Sequence, residues 1–171
     1  MPTNTNVFRG ADATLILAAS TATPAEAQEA QRIVDFHLLN PIGRASGVEV
    51  HVHNDLRPYY EIGSRQAVQL HHGNLHISGK LDRAYINGAL LEALLGGAAS
   101  VNRQSAPHPQ PAFIMAFHLN DPAGSGLGSV VTLHGVKFDQ WAFNLPEDDF
   151  VMEAATFKAL YITVEDTVSE D

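Results

Sequence analysis

Residues 61–96 read EIGSRQAVQLHHGNLHISGKLDRAYINGALLEALLG, a long extended run that passes directly into a short apolar helix and contains no recognisable set of catalytic groups. From Asn74 onward the side chains alternate, with Leu75, Ile77 and Leu81 on one face and Asn74, His76, Ser78, Lys80 and Asp82 on the other. That period of two marks a half-buried strand. Val68 and Leu70 fall on the opposite parity, so the apolar face must change sides near His71, His72 and Gly73, and a bulge at Gly73 accomplishes the change. Further on, Ile86, Leu90, Leu91, Leu94 and Leu95 recur at three- and four-residue steps before Gly96-Gly97, which predicts a short helix with a glycine stop. An extended run of about 16 residues spans roughly 53 Å, against a typical strand of 5 to 6 residues. The surplus is expected to project from the domain, and projecting strands take partners.

Working outward, residues 13–18 (ATLILA) read as a first strand. Thr23-Pro24-Ala25-Glu26 then combines a capping hydroxyl, a proline at the first helical position and a glutamate three residues after the cap, which predicts a helix from Pro24 to His37. Asn40-Pro41-Ile42-Gly43 ends it, residues 48–53 (VEVHVH) alternate as a strand, and Pro58-Tyr59-Tyr60 reads as a loop. Residues 112–119 are a strand, and the Gly-rich residues 120–129 are a break. Two long extended runs, 130–145 and 150–165, flank Pro146-Glu147-Asp148-Asp149 and predict a long antiparallel hairpin. Strands and helices do not alternate as βαβ units, so the expected fold is mainly β: an antiparallel β-sandwich or barrel with long projecting hairpin strands and one or two short helices. The 171 residues are expected to form a single domain. Its irregular parts are an N-terminal arm (1–11), a long loop (97–111) and an acidic tail (166–171).

The formal net charge is −9, from 19 acidic and 10 basic residues, which argues against a surface built to grip phosphates. No apolar stretch approaches the roughly 18 residues that cross a bilayer, and the N-terminal dozen residues lack a basic segment followed by an apolar one. A cytoplasmic site of assembly without membrane partners is the expectation. The chain has no cysteine, which removes disulfides, thiolate nucleophiles and cysteine metal sites together.

Candidate chemistry is thin. His51 and His53 share a strand face, and His71, His72 and His76 follow on the next long run. A cupin-like metal enzyme could use His51 and His53 with His72 or His76. A glutamate soon after the His-x-His pair is missing, however, since the next is Glu61. The plainer reading makes these histidines solvent-facing or interface residues. Gly124-Ser125-Gly126-Leu127-Gly128-Ser129 precedes a strand and not a helix, so it reads as a turn and not a phosphate cradle. No serine sits in a Gly-x-Ser-x-Gly elbow, and Asp148-Asp149 lies at a hairpin tip, where carboxylates are solvated. Trp141, Phe138, Phe143, Phe150, Phe157 and Tyr161 crowd the last hairpin and read as sheet core. A small-ligand-binding β-barrel is the third function class to weigh.

The segment Glu61-Ile62-Gly63-Ser64, the strand ending Ile77-Ser78-Gly79-Lys80-Leu81-Asp82-Arg83-Ala84-Tyr85-Ile86-Asn87-Gly88, and the Leu-rich helix behind it resemble tail tube proteins of tailed bacteriophages. Residues 151–162 (VMEAATFKALYI), with Asp166-Thr167 behind them, resemble the C-terminal strand of that family. The resemblance implies a non-enzymatic virion protein without cofactor or metal. Its long strands would join those of neighbours into hexameric rings, and the rings would stack into a hollow tube, assembled in the host cytoplasm, that delivers DNA. It also implies partners: further copies of the chain, tail sheath, tail terminator, baseplate and tape-measure proteins, and DNA that passes without specific binding. The family's fold extends to contractile injection systems. On this reading the surplus strand is completed by the next subunit, and an acidic lumen keeps DNA from sticking. The expected inter-subunit contacts are Ile62, Gly63, Ser64, Gly73, Lys80, Asp82 and Arg83.

Overall fold

The last two long runs of sequence form the axis of the molecule. In the computed structural model, which describes residues 7–20, 23–37, 42, 45–100, 108–121 and 126–167, β7 (Gly128–Asn144) lies antiparallel to β8 (Met152–Ala159) and β9 (Tyr161–Thr167). The hairpin runs from Asn144 opposite Met152 to Gly128 opposite Thr167. The single strand expected over residues 150–165 is interrupted at Leu160, where Gly135 of β7 adopts φ 64°. A β carbon on Gly135 would sit 2.6 Å from Cδ1 of Leu160, so both backbone and space call for glycine. The Leu160 N–H still donates to the His134 carbonyl at 2.9 Å, keeping the hairpin stitched across the break. Asp166 and Thr167, expected in a frayed tail, belong to β9, and the Ser129 hydroxyl donates to Asp166 Oδ1 at 2.7 Å.

β7 belongs to two sheets. Its first half lies between β9 and β6 (Phe113–Asn120), which in turn pairs β1 (Ala13–Ala19). Its second half leads through β8 to β5 (Leu75–Ala84) and β2 (Ala45–Asn54). The two sheets and two helices enclose one core: Leu17, Phe113, Met115 and Leu133 from the first sheet, and Leu81, Phe138, Ala155 and Phe157 from the second. These residues sit at alternate strand positions, as burial of one sheet face requires. Phe138 stands edge to face with both Phe113 and Phe157, at 5.9 and 6.0 Å. This is the mainly antiparallel β-sandwich or barrel that the sequence pattern predicts. Of the six aromatics assigned to the core of the last hairpin, Phe138 and Phe157 are fully buried and Trp141 partly so. Phe143, Phe150 and Tyr161 are exposed, because they lie beyond the region the opposite sheet covers.

Helix α1 (Pro24–His37) starts and ends as predicted. The Thr23 hydroxyl donates to Glu26 Oε2 at 2.7 Å, and Ala30, Ile33 and Val34 form its buried stripe. Helix α2 (Ala89–Leu95) begins later than the leucine spacing suggests, because Asn87 Oδ1 accepts the Ala89 N–H at 3.2 Å and so sets the first turn. At Gly96 the chain tightens into a 3₁₀ turn, Gly96–Ser100, instead of stopping. Residues 1–6 of the expected arm, 101–107 of the expected loop and 168–171 of the expected tail lie outside the described residues.

Candidate assembly surface

The central stretch divides into two strands. β4 (Gln69–His71) and β5 are separated by residues 72–74. Between the pairs Asn54–Leu75 and Arg57–His71 there are two residues on one side and three on the other, which is the count of a bulge. Gly73 sits at it, and a β carbon there would collide with the Asp55 carbonyl oxygen. The parity switch and its glycine were therefore readable from sequence.

The partner of the projecting part was not. β4 pairs antiparallel with β3 (Arg57–Tyr59), the segment read as a loop, so the projection is a two-stranded arm closed within one chain. This corrects the expectation that a neighbour completes that strand. Proline is no obstacle, because each strand of a lone ribbon keeps one edge without partners.

At the tip, Ser64 N–H donates to the Glu61 carbonyl at 3.1 Å and Gly63 has φ 90°, the geometry of a type II turn with glycine at its third position. The Ser64 hydroxyl donates to the Gln66 carbonyl at 2.8 Å and braces the return strand. Ile62, at the apex of the turn, is wholly exposed, and Tyr59, Tyr60, Val68 and Leu70 are each more than half exposed. At the root, the Asp55 carboxylate lies between two imidazoles, 2.8 Å from His76 Nε2 and 3.1 Å from His53 Nε2. The His76 hydrogen bond, aided by His53, holds the Asp55 carboxyl below its ordinary range. His72 Nδ1 lies 3.2 Å from Asn54 Nδ2. The histidines thus fasten the root of the arm, and among the described residues no three His, Asp or Glu side chains converge as metal ligands would.

Three other expected contact residues lie on β5. Lys80 and Asp82 face outward and pair at 3.1 Å. Arg83 points inward and is 2% exposed. Its guanidinium grips Glu153 Oε1 through Nη2 at 2.6 Å and Nε at 2.7 Å, while Trp141 Nε1 donates to Glu153 Oε2 at 2.9 Å. Arg83 shares its parity with Ile77 and Leu81, and Glu153 shares its own with Ala155 and Phe157. That shared parity is the sequence signal for the buried pair.

The opposite end of the second sheet carries a surface that the sequence reading missed. β5 ends beside the start of β8, Ala84 opposite Met152, and the Tyr85 N–H donates to the Val151 carbonyl at 2.9 Å. The Tyr85 and Phe143 rings lie 5.9 Å apart, and Ile86, Leu145 and Phe150 are exposed around them. The hydrophobic residues flanking Pro146-Glu147-Asp148-Asp149 were the available signal.

No family model matches the chain, and no curated protein is significantly similar to it. Solved structures are. The anti-feeding prophage cap (AFP tube terminating cap) is 7% identical with a TM-score of 0.64, over 98% of this chain and 96% of that one. The sheath/tube terminator of the extracellular contractile injection system PVC is 10% identical with a TM-score of 0.62, over 95% of this chain and 99% of that one. The SPP1 tail tube is 9% identical with a TM-score of 0.58, over 95% of this chain and 81% of that one. With its two sheets joined through one long hairpin and its flanking helices, the chain has the tail-tube fold, found in tube and tube-terminator proteins of phage tails and contractile injection systems.

Proposed function

We propose that this chain is a non-enzymatic structural subunit that self-assembles into hexameric rings, stacked into a tube whose lumen passes DNA without binding it specifically. The carrying observation is the arm: a ribbon with Ile62, Tyr59, Tyr60, Val68 and Leu70 exposed on a tail-tube fold. Isolated two-stranded ribbons are marginal in water, and exposed apolar ribbons are association sites. Open sheet edges support the same reading. Among the described residues, β7 from Gln140 to Asn144 pairs with β8 alone, and β9 pairs with β7 alone. Edges left open in a monomer are satisfied in a closed ring.

Ile62, Gly63, Ser64 and Gly73 contribute to assembly through the arm, and Lys80 and Asp82 through the outer face of β5. Arg83 contributes from within, by fixing β5 to β8. The net charge of −9 supports an acidic bore that repels the DNA backbone. Sheath, terminator, baseplate and tape-measure proteins are the partners of such a tube, and the same reading makes the chain a virion-tail protein assembled in the host cytoplasm.

Negative-stain microscopy of the purified chain tests the reading. Rings or tubes roughly 80 to 100 Å wide are expected from six domains of this mass, and a monomer at high concentration refutes it. A basic lumen in a cryo-EM map would remove the DNA-repulsion part. A second reading, a tube terminator, is favoured by the terminator assemblies among the similar structures, at TM-scores of 0.64 and 0.62. A terminator would form single rings that do not elongate.

A further inference from the structure

We infer that the folded chain modifies itself at Asn87, converting the carboxamide to a carboxylate through a cyclic imide with the Gly88 backbone, beside the buried Arg83. Asn87 is the only asparagine of the chain that precedes a glycine. A side chain on the residue after an asparagine obstructs the approach of that residue's nitrogen to the carboxamide carbon, and glycine has none. The surrounding space is open too, since a β carbon on Gly88 would have no heavy atom within 4 Å. Neither residue is buried, so water reaches both. Gly88 stands ahead of α2, with φ −74° and ψ 16°, where the backbone nitrogen has no partner in the helical ladder.

The carboxamide also lies where developing charge is stabilised. Asn87 Oδ1 accepts the Ala89 N–H at 3.2 Å and faces Arg83 Nη2 at 3.4 Å. The same Nη2 lies 3.5 Å from the main-chain oxygen of Asn87, so one guanidinium faces both oxygens that the imide would carry. Glu153 holds that guanidinium in place, through Nη2 at 2.6 Å and Nε at 2.7 Å. When the Gly88 nitrogen bonds to Cγ of Asn87, the carbonyl π electrons move onto Oδ1, which an N–H and a cation already face. The tetrahedral centre then expels Nδ2 as ammonia, which carries away the proton lost by the Gly88 nitrogen, and the five-membered imide is complete. Water adds to one of its two carbonyls. Cleavage of the new Cγ–N bond gives aspartate, and cleavage of the original peptide bond gives isoaspartate. The net change is amide plus water to carboxylate plus ammonium, with nothing oxidised or reduced.

Either product changes the same buried pair. Because Arg83 faces both oxygens of Asn87, the new carboxylate falls beside it whichever carbonyl opens, and the guanidinium that had one anionic partner, Glu153, gains a second. The backbone distinguishes the two outcomes. Aspartate keeps the parent chain path and an oxygen for the Ala89 N–H. Isoaspartate adds one carbon to the main chain between β5 and α2 and so shifts the start of that helix. The conversion is independent of assembly.

The purified full chain is incubated in mildly alkaline buffer, folded or unfolded in guanidinium chloride, then digested with trypsin and analysed by tandem mass spectrometry. Cleavage after Arg83 and Arg103 releases residues 84–103, in which Asn102, followed by arginine, is the internal reference. An amide-to-acid mass increment at Asn87 is expected, resolved into aspartate and isoaspartate forms, and formed in the folded chain at least as fast as in the unfolded one. An Asn87 that stays intact in the folded chain, or that converts faster once the chain is unfolded, overturns the inference. Gly88→Ala, at backbone angles that suit alanine, should slow conversion about tenfold, and conversion at the parent rate overturns the imide route. Asn87→Asp, the product itself, should raise Tm by about 2–4 °C through its bond to Arg83. An unchanged or lower Tm overturns the pairing with Arg83.

Discussion

Glu153→Leu should be among the most damaging single substitutions in this protein. The carboxylate is 2% exposed and holds three groups: Arg83 Nη2 at 2.6 Å, Arg83 Nε at 2.7 Å and Trp141 Nε1 at 2.9 Å. Its removal strands a guanidinium that is itself 2% exposed and whose remaining partners, Asn87 O and Oδ1, are long at 3.5 and 3.4 Å. Breaking a buried pair in this way costs about 3–5 kcal/mol, which for a chain of this length lowers Tm by about 6–20 °C. Arg83→Met costs a similar amount by stranding Glu153. The double variant Arg83→Met/Glu153→Leu leaves only the indole N–H without a partner, about 1–3 kcal/mol. Equilibrium urea unfolding followed by far-ultraviolet circular dichroism measures all three, and the fluorescence of Trp141, the chain's single tryptophan, reports locally. Single losses below about 1 kcal/mol, or a double loss equal to the sum of the singles, would refute the view that the two charges exist for each other.

Three further outcomes follow from the geometry. The hydrogen bond from Lys137, with one from Thr23, holds the Glu26 carboxyl below its ordinary value of 4.5. The stability it supplies is therefore complete above pH 4.5 and lost as pH falls through the depressed value. Glu26→Gln should cost about 0.5–1 kcal/mol at neutral pH, given the partly exposed pair, and flatten the acid limb of a Tm-against-pH curve; an unchanged limb would contradict it. Gly135→Ala should cost about 1–2 kcal/mol from its left-handed backbone, and Leu160→Ala in the same chain should relieve only the added crowding, as read by thermal unfolding. Gly73→Ala pushes a methyl group into the Asp55 carbonyl and should speed hydrogen exchange at the Asp55 amide, which bonds the Asn74 carbonyl at 3.0 Å in the parent, while leaving core amides unchanged.

The sequence carried local signals well wherever one residue type has one conformational use. Thr23-Pro24 and Glu26 fixed the start of α1, and the parity change between Leu70 and Leu75 located the bulge at Gly73. Signals failed where the deciding partner lies far along the chain. Pro58-Tyr59-Tyr60 looks like a turn by composition, and only the nearness of Gln69–His71 makes Arg57–Tyr59 a strand. The break at Leu160 is invisible in FKALYIT because its cause is Gly135, 25 positions earlier. The turn at Ile62, Gly63 and Ser64 was legible because Gly63 is a turn residue beside an isolated apolar one. The inward direction of Arg83 was encoded in its parity with Ile77 and Leu81. Phe143 and Phe150 were assigned to the sheet core because composition cannot show where a sheet's cover ends.

β7 also sets how the subunit would carry load. As the strand shared by both sheets, it is bonded to β6 over its first half and to β8 and β9 along its length. A pull along its axis is resisted in shear by many hydrogen bonds at once. The arm is bonded to the body through a single ribbon whose root holds at Asp55 and Asn74, and a pull on its tip peels bonds one after another. Mechanically the subunit is a stiff plank with a compliant finger, and a stack of such subunits would bend at the fingers while each plank keeps its shape.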